Sequence, residues 1–247
     1  MERIAVISDI HGNVPALDAV LEDIRRRGIE RIFCLGDLIG KGPQSDLVVD
    51  RIREVCEIVI RGNWDDLIER PIEHETFAWH QRRLGPERID YLTSLPFSHD
   101  IVLSGKLVRF VHASPQSVHH RVQPWHPFER RLAMFDNTEL VAAAGCKREP
   151  DVVGYGDVHN AFVQSYRGKT LFNTGSVGNP LDVPQASYAV LEGVYGSDEA
   201  AGFGLQLVRV PYDIEDAVNI ARDLNMPDLE PYVEELRTAR YRGLKKQ

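Results

Sequence analysis

Five short hydrophobic runs, each broken off by a polar cluster, follow one another along this chain and leave little freedom in how it can fold. They are IAVIS (residues 4–8), RIFCL (31–35), EIVIR (57–61), LVRFV (107–111) and DVVGY (151–155). Their length and bounding residues predict buried strands. The clusters that follow are Asp9-Ile10-His11, Gly36-Asp37, Gly62-Asn63, His112 and Gly156-Asp157-Val158-His159. Strands of this kind deliver their next residues to one sheet edge, the crevice where such sheets bind ligands. Seven side chains of metal-ligand type would meet there: Asp9, His11, Asp37, Asn63, His112, Asp157 and His159. That inventory suits two metal ions.

Between these runs the periodicity changes. Asn13 is placed to cap a helix from Pro15 to Arg27 with Val14, Leu17, Val20, Leu21 and Ile24 as its apolar stripe, and a second helix is predicted from Gln44 to Arg53. Residues 64–95 read as two helices beside the crevice, and residues 98–113 as a hairpin around Ser104-Gly105. Further strands are expected at 161–166, 169–173, 187–193 and 203–210. A helical tail from Asp213 to Arg242 follows, with Pro227 and Pro231 marking the start of its second part. The predicted fold class is α/β, two packed sheets flanked by helices in a four-layer α-β-β-α sandwich. With 247 residues and 43% hydrophobic content, one domain over 1–247 is expected, its motifs in 3–180 and its last strands and helices in 186–242.

The opening residues lack a basic and apolar leader, and no later stretch approaches about 18 uninterrupted apolar residues, so a cytoplasmic protein without membrane association is expected. A net charge of -8 argues against a nucleic-acid-binding surface, and no stable nucleic-acid complex is expected. Arg25-Arg26-Arg27 complements a helix C-terminus, and Lys245-Lys246 reads as a solvated tail. Cys34, Cys56 and Cys146 have no CxxC spacing and read as buried reduced thiols. Assembly into oligomers is left open.

The order D-x-H, GD, GN, H, G-x-x-H resembles the calcineurin-like metallophosphoesterase superfamily. Ser8-Asp9-Ile10-His11-Gly12-Asn13 and Asn173-Thr174-Gly175-Ser176-Val177-Gly178-Asn179-Pro180 are similar to its small bacterial phosphodiesterase-like branch. The resemblance runs from residue 3 to about residue 180. It implies a dinuclear hydrolase in which Asp37 bridges the ions, Asp9, His11 and His159 complete one site, and Asn63, His112 and position 157 complete the other. Mixed oxygen and nitrogen ligands suit Mn, Fe, Co, Zn or Ni better than Ca or Mg, and leave the metal's identity open. A water held between two dications loses its proton near neutral pH and attacks phosphorus in line, with no covalent enzyme intermediate.

Singly, Asp9 and His11 could be helix caps, and Asp37 and Asn63 turn residues; jointly, their places at successive strand ends favour metal. Arg61 is placed either to hold substrate phosphate, as R-G-N does in the serine/threonine-phosphatase branch, or to face solvent. Asn13 either touches phosphate or only caps its helix. Two positions depart from the family pattern. Asp157 stands where a histidine is usual, lowering the charge of a loaded site to about zero from about +1 if it ligates; the alternative is that it turns away and the second metal is weakly held. Trp64 stands where many relatives have a proton-donating histidine, and either stacks on an aryl or base group or packs internally. His119, His120 and His126 are alternative proton donors or plain surface residues.

The favoured function is a metal-dependent phosphodiesterase acting on a small or nucleotide-like phosphate ester. The alternatives are a phosphomonoesterase or protein phosphatase, and a binding or scaffold protein that has lost the chemistry.

Overall fold

The computed structural model describes residues 1–71, 73–142 and 148–243. In chain order the elements are β1 (Glu2–Ile7), α1 (Val14–Arg26), β2 (Arg31–Cys34), α2 (Ser45–Val55), β3 (Ile58–Val59), α3 (Asn63–Leu67) and α4 (Glu75–Ser94). Then come β4 (Ser98–Leu103), β5 (Lys106–Val111), α5 (Phe128–Leu132), α6 (Glu139–Ala142), β6 (Val152–Tyr155), β7 (Phe162–Tyr166) and β8 (Lys169–Asn173). The chain closes with β9 (Ala186–Gly193), β10 (Gly204–Val210), α7 (Ile214–Asp223) and α8 (Leu229–Thr238). One sheet runs β10-β9-β1-β2-β3, the other β4-β5-β6-β8-β7. In the first sheet β1, β2 and β3 run parallel and β9 pairs antiparallel with both β1 and β10; in the second β5, β6 and β8 run parallel and the edge strands β4 and β7 are antiparallel to them.

Period-two alternation explains why the sheets stack. Along β1, Ile4 and Val6 enter one apolar cluster while Ala5 and Ile7 enter another. The first cluster lies between the sheets and joins Phe33 and Leu35 to Val108, Phe110, Val152 and Phe172. The second covers the outer face of the first sheet with Leu17, Val20 and Ile24 of α1 and Val48, Val49 and Ile52 of α2. On the far side Val153, Tyr155 and Leu171 pack against Met134, Phe135 and Val141. Strands buried on both faces read as continuous apolar runs, which is why β1, β2, β5 and β6 stand out in the sequence, while the short edge strand β3 is only half-buried.

The predicted helices and strands appear with boundaries shifted by a residue or two. Asn13 caps α1, its Oδ1 accepting the Ala16 N–H at 3.2 Å. The hairpin turns on Ser104 and Gly105, both at positive φ (53° and 77°), the backbone a two-residue turn between twisted strands requires. The stretch expected to hold two helices has one turn in α3, then α4, which kinks where Gly85 (φ 69°) precedes Pro86. In α8 the helix opens before Pro231, which sits in its first turn. Cys34 is buried and Cys56 half-buried, both free; Cys146 and the Lys245-Lys246 pair lie outside the described residues. Among the described residues no helix is long and apolar enough to cross a membrane.

Candidate metal centre

The strands end where the polar residues begin, and the backbone there is forced into an uncommon shape. Asp9 (φ 54°), His11 (49°), Asp37 (54°), Asp157 (63°) and His159 (57°) all adopt left-handed conformations. Each costs about 1–3 kcal/mol in a residue with a Cβ, so the surrounding structure must hold them in place. It does so by close backbone approach. A Cβ at Gly156 would collide with Ser8 Oγ and the Asp9 carboxylate, and one at Gly62 with the Asp37 backbone and carboxylate. The loop after β8 supplies further anchors: Val177 N–H donates to Ser8 O at 3.0 Å, Gly178 N–H to Asp9 O at 3.0 Å, and Ser176 Oγ to Asp9 O at 2.6 Å.

Three imidazoles meet two carboxylates at this edge, all buried. His11 Nε2 lies 3.2 Å from His159 Nε2, 3.5 Å from Asp37 Oδ2 and 3.8 Å from Asp9 Oδ1. His159 Nε2 is 3.1 Å from Asp9 Oδ1, and His112 Nε2 is 3.4 Å from Asp37 Oδ1. The opposite ring nitrogens all face backbone carbonyls. His11 Nδ1 is 2.8 Å from Ile39 O, His112 Nδ1 2.8 Å from Leu35 O, and His159 Nδ1 2.5 Å from Asn179 O. A carbonyl can only accept, so each Nδ1 carries a proton, and whenever the ring is neutral its Nε2 presents a lone pair. Lone pairs of His11 and His159 therefore face each other and the Asp9 carboxylate, whose Oδ1 accepts no hydrogen bond. Acceptors converging without donors suit a cation between them, and a backbone partner on the far nitrogen is the usual support of a metal-ligating histidine. Two groupings could each hold an ion: Asp9, His11 and His159, and Asp9, Asp37 and His112.

Asn63 extends the second grouping. Its Oδ1 stands 3.0 Å from His112 Nε2, among acceptors alone, an orientation a cation would stabilise; with the amide reversed, its nitrogen donates to Asp37 Oδ2 at 2.9 Å. Burial opposes ionisation of Asp9, and the surrounding imidazoles, His159 first and then His112 and His11, outweigh it and hold this carboxyl below the usual range. Burial pushes His11 down, with His159 adding to it. For His112 burial acts downward too, but adjacent Asp37 wins and raises it to about 10, so without a cation this ring is protonated and a bound ion would take the place of its Nε2 proton.

Asp157 is held differently. Its backbone N–H donates to Asp9 Oδ2 at 3.1 Å, while its carboxylate accepts a two-pronged pair from Arg121, Nε at 2.9 Å and Nη2 at 2.8 Å. The carboxylate's side chain is 3% exposed and that of Arg121 47%. Trp64 donates its backbone N–H to Asp37 Oδ1 at 2.8 Å, stacks flat on Phe77 at 5.1 Å and presents its ring edge-on to His11 at 5.9 Å. Asn13 is fully engaged: besides its cap, it donates to Gly178 O at 2.8 Å and to Tyr212 Oη at 3.3 Å. Arg61 turns toward Thr93 O (3.4 Å) and Asp66 (3.6 Å). His119 pairs with Asp66 at 3.0 Å, His120 with Ser114 Oγ at 3.0 Å, and His126 Nδ1 accepts the Gln123 N–H at 3.1 Å.

A cavity of about 400 Å³ opens beside Asp37 and His159. Its wall includes Lys41, Trp64, Arg121, Trp125, Asp157, Arg240, Tyr241 and Arg242. Arg61, His119, His120 and His126 are not among the residues that line it.

Several contributors carry no mark in the sequence. Asp65 is buried and accepts backbone N–H groups from Asp37 (2.8 Å), Leu38 (3.1 Å) and Gly62 (2.9 Å), fastening the GD loop to the GN loop. Burial and neighbouring Asp37 push its carboxyl up to about 7, against the pull of those donors. Lys41 donates to Asn179 Oδ1 at 2.6 Å and lies 3.9 Å from buried Glu235. Asn179 Nδ2 donates to Glu235 at 3.1 Å, joining α8 to the loop behind His159. The signal for Asn179 was present, since it lies in the Gly178-Asn179-Pro180 motif; Lys41, Asp65, Arg121 and Glu235 gain their partners only through folding.

A buried aspartate and histidine cluster at the strand ends of two stacked mixed sheets defines a candidate metal centre on an α-β-β-α sandwich. The chain belongs to the calcineurin-like phosphoesterase superfamily, whose domain model matches residues 2–194. It is 33% identical over 238 residues to the uncharacterized protein MJ0912 of Methanocaldococcus jannaschii, covering 87% of this chain and 89% of that one. A shorter match, 33% identical over 101 residues, links 36% of this chain to 55% of the phosphodiesterase YfcE of Escherichia coli K12. A metallophosphoesterase structure from Sphaerobacter thermophilus superposes with a TM-score of 0.71 at 27% identity, over 96% of this chain and 99% of that one.

Proposed function

We propose that this chain is a metal-dependent phosphohydrolase, chiefly a phosphodiesterase, that hydrolyses a small or nucleotide-like phosphate ester with two divalent transition-metal ions. The observation that carries this reading is the convergence of three imidazole Nε2 atoms and two carboxylates, with every Nδ1 committed to a backbone carbonyl. Asp9, His11, His159 and Asp37 would hold one ion; Asp37, Asn63 and His112 would hold the other. When bound, the ions polarise a phosphoryl oxygen and acidify a water.

The chain's own residues do the rest. Asp37 is shared, and Trp64 N–H and Asp65 fix it from two sides. Asp157 anchors Arg121 at the cavity wall and contributes no ligand, so two carboxylates rather than three offset the cations and attraction for phosphate is kept. Water's oxygen bonds to phosphorus and gives up a proton to solvent as the P–O bond to the leaving oxygen breaks, and that leaving oxygen must gain a proton unless its conjugate acid is strong. Trp64 has no titrating proton to give. A good leaving group therefore suits this site.

The test is hydrolysis of bis(p-nitrophenyl) phosphate, p-nitrophenyl phosphate and alkyl phosphates by purified protein with added Mn²⁺. Metal-dependent cleavage is expected, aryl diesters well ahead of alkyl monoesters, and Asp37→Ala should abolish it. Full activity in Asp37→Ala, or no metal-dependent cleavage, would refute the reading.

A further inference from the structure

The chain carries a net charge of -8, yet the cavity beside the metal centre is lined by four cations, Lys41, Arg121, Arg240 and Arg242, against two carboxylates, Asp37 and Asp157. Asp157 is already neutralised by Arg121, and buried Glu235 offsets Arg242 at 2.8 Å and Lys41 at 3.9 Å. Arg121 Nη1 makes no hydrogen bond among the described residues, and Arg240 has no ion-pair partner among them. Two aromatic rings join this wall without a packing reason. Trp125 is 69% exposed and Tyr241 44%, whereas aromatic surface of that size is ordinarily covered. The cavity's volume lies within the range of small-molecule sites.

From this wall we infer that the cavity receives the leaving portion of the substrate, and that this portion carries a planar ring and at least one negative charge of its own, as a nucleoside phosphate does. The inference rests on the phosphohydrolase reading for the word "leaving" alone; the ligand chemistry follows from the wall. Trp125 and Tyr241 offer flat faces for a base, and Arg240 with Arg121 offers donors for a phosphate. A glycerol-like or alkyl leaving portion would leave both rings in water and gain nothing from them.

Binding to the full chain in Mn²⁺, followed by calorimetry and tryptophan fluorescence, decides it with AMP, ADP, ribose 5-phosphate and inorganic phosphate as probes. AMP should bind about tenfold tighter than ribose 5-phosphate, the margin expected for one base stacked on an aromatic ring. Trp125→Ala, at an exposed position, should erase that margin and leave inorganic phosphate unchanged. ADP should bind several-fold tighter than AMP, and Arg240→Ala should remove that difference. Equal binding of AMP and ribose 5-phosphate, or an AMP margin untouched by Trp125→Ala, would overturn the proposal. Cleavage of bis(p-nitrophenyl) phosphate without an AMP margin would sink the cavity proposal alone. An AMP margin without any ester cleavage would sink the phosphohydrolase reading and keep the cavity.

Discussion

At the residue scale, Asp65 shows how a side chain outside the proposed ligand set can govern it. Its two oxygens satisfy three buried backbone N–H groups at the two turns that present Asp37 and Asn63. Leaving a buried donor unmade costs about 1–3 kcal/mol, so Asp65→Ala should lose at least about 3 kcal/mol in urea denaturation. Asp66→Ala, whose partners Arg61, Arg70 and His119 are partly exposed, should lose about 1 kcal/mol or less. Equal losses would mean that Asp65 does not hold the turns. The ligand-type residues were legible because each follows an apolar run directly. Asp65 was not, because Trp64-Asp65-Asp66 looks like any acidic first turn, and only the fold brings Gly36-Asp37 within reach.

At the element scale, α8 is tied to the site through a buried carboxylate. Glu235 accepts from Asn179, from the Arg242 backbone and from the Arg242 guanidinium. Burial alone would raise its pKa, but Arg242 and then Lys41 outweigh it and lower it. A carboxyl lowered on folding stabilises the native state fully above its ordinary pKa of about 4.3, and that contribution is lost as pH falls through the lower folded value. Stability of the native chain should therefore fall between about pH 5 and pH 3 more steeply than that of Glu235→Gln. Thermal melts across that range check it, and parallel pH profiles would contradict it. The helical period of 213–242 was readable, as were the strands and the Ser104-Gly105 hairpin, since periodicity and turn chemistry are local. The docking of α8 on the loop behind His159 was not readable, because it depends on residues 56 positions apart.

At the scale of the whole molecule, the candidate centre lies where two sheets meet, and the apolar layer between them sets the stability of the fold around it. Phe110 is fully buried there, edge-on to Phe33 at 5.7 Å. Phe110→Ala should cost about 3–5 kcal/mol in urea denaturation. At temperatures where the variant stays folded, its metal content should match the parent's, because no ligand-type side chain is touched. The layered fold was predictable, since runs buried on both faces require cover on both sides. The position of the basic, aromatic cavity was not, because its wall draws on residue 41, residues 121–125 and residues 240–242, which share no local pattern.

The central claim is that Asp9, His11, Asp37, Asn63, His112 and His159 form a two-metal site. The most direct measurement is the metal stoichiometry of the purified chain beside Asp37→Ala and Asp157→Ala, by elemental analysis after transition-metal loading. Two ions per chain are expected in the parent, at most one in Asp37→Ala, and two in Asp157→Ala, whose carboxylate serves Arg121. No bound metal in the parent, or unchanged stoichiometry in Asp37→Ala, would contradict the account.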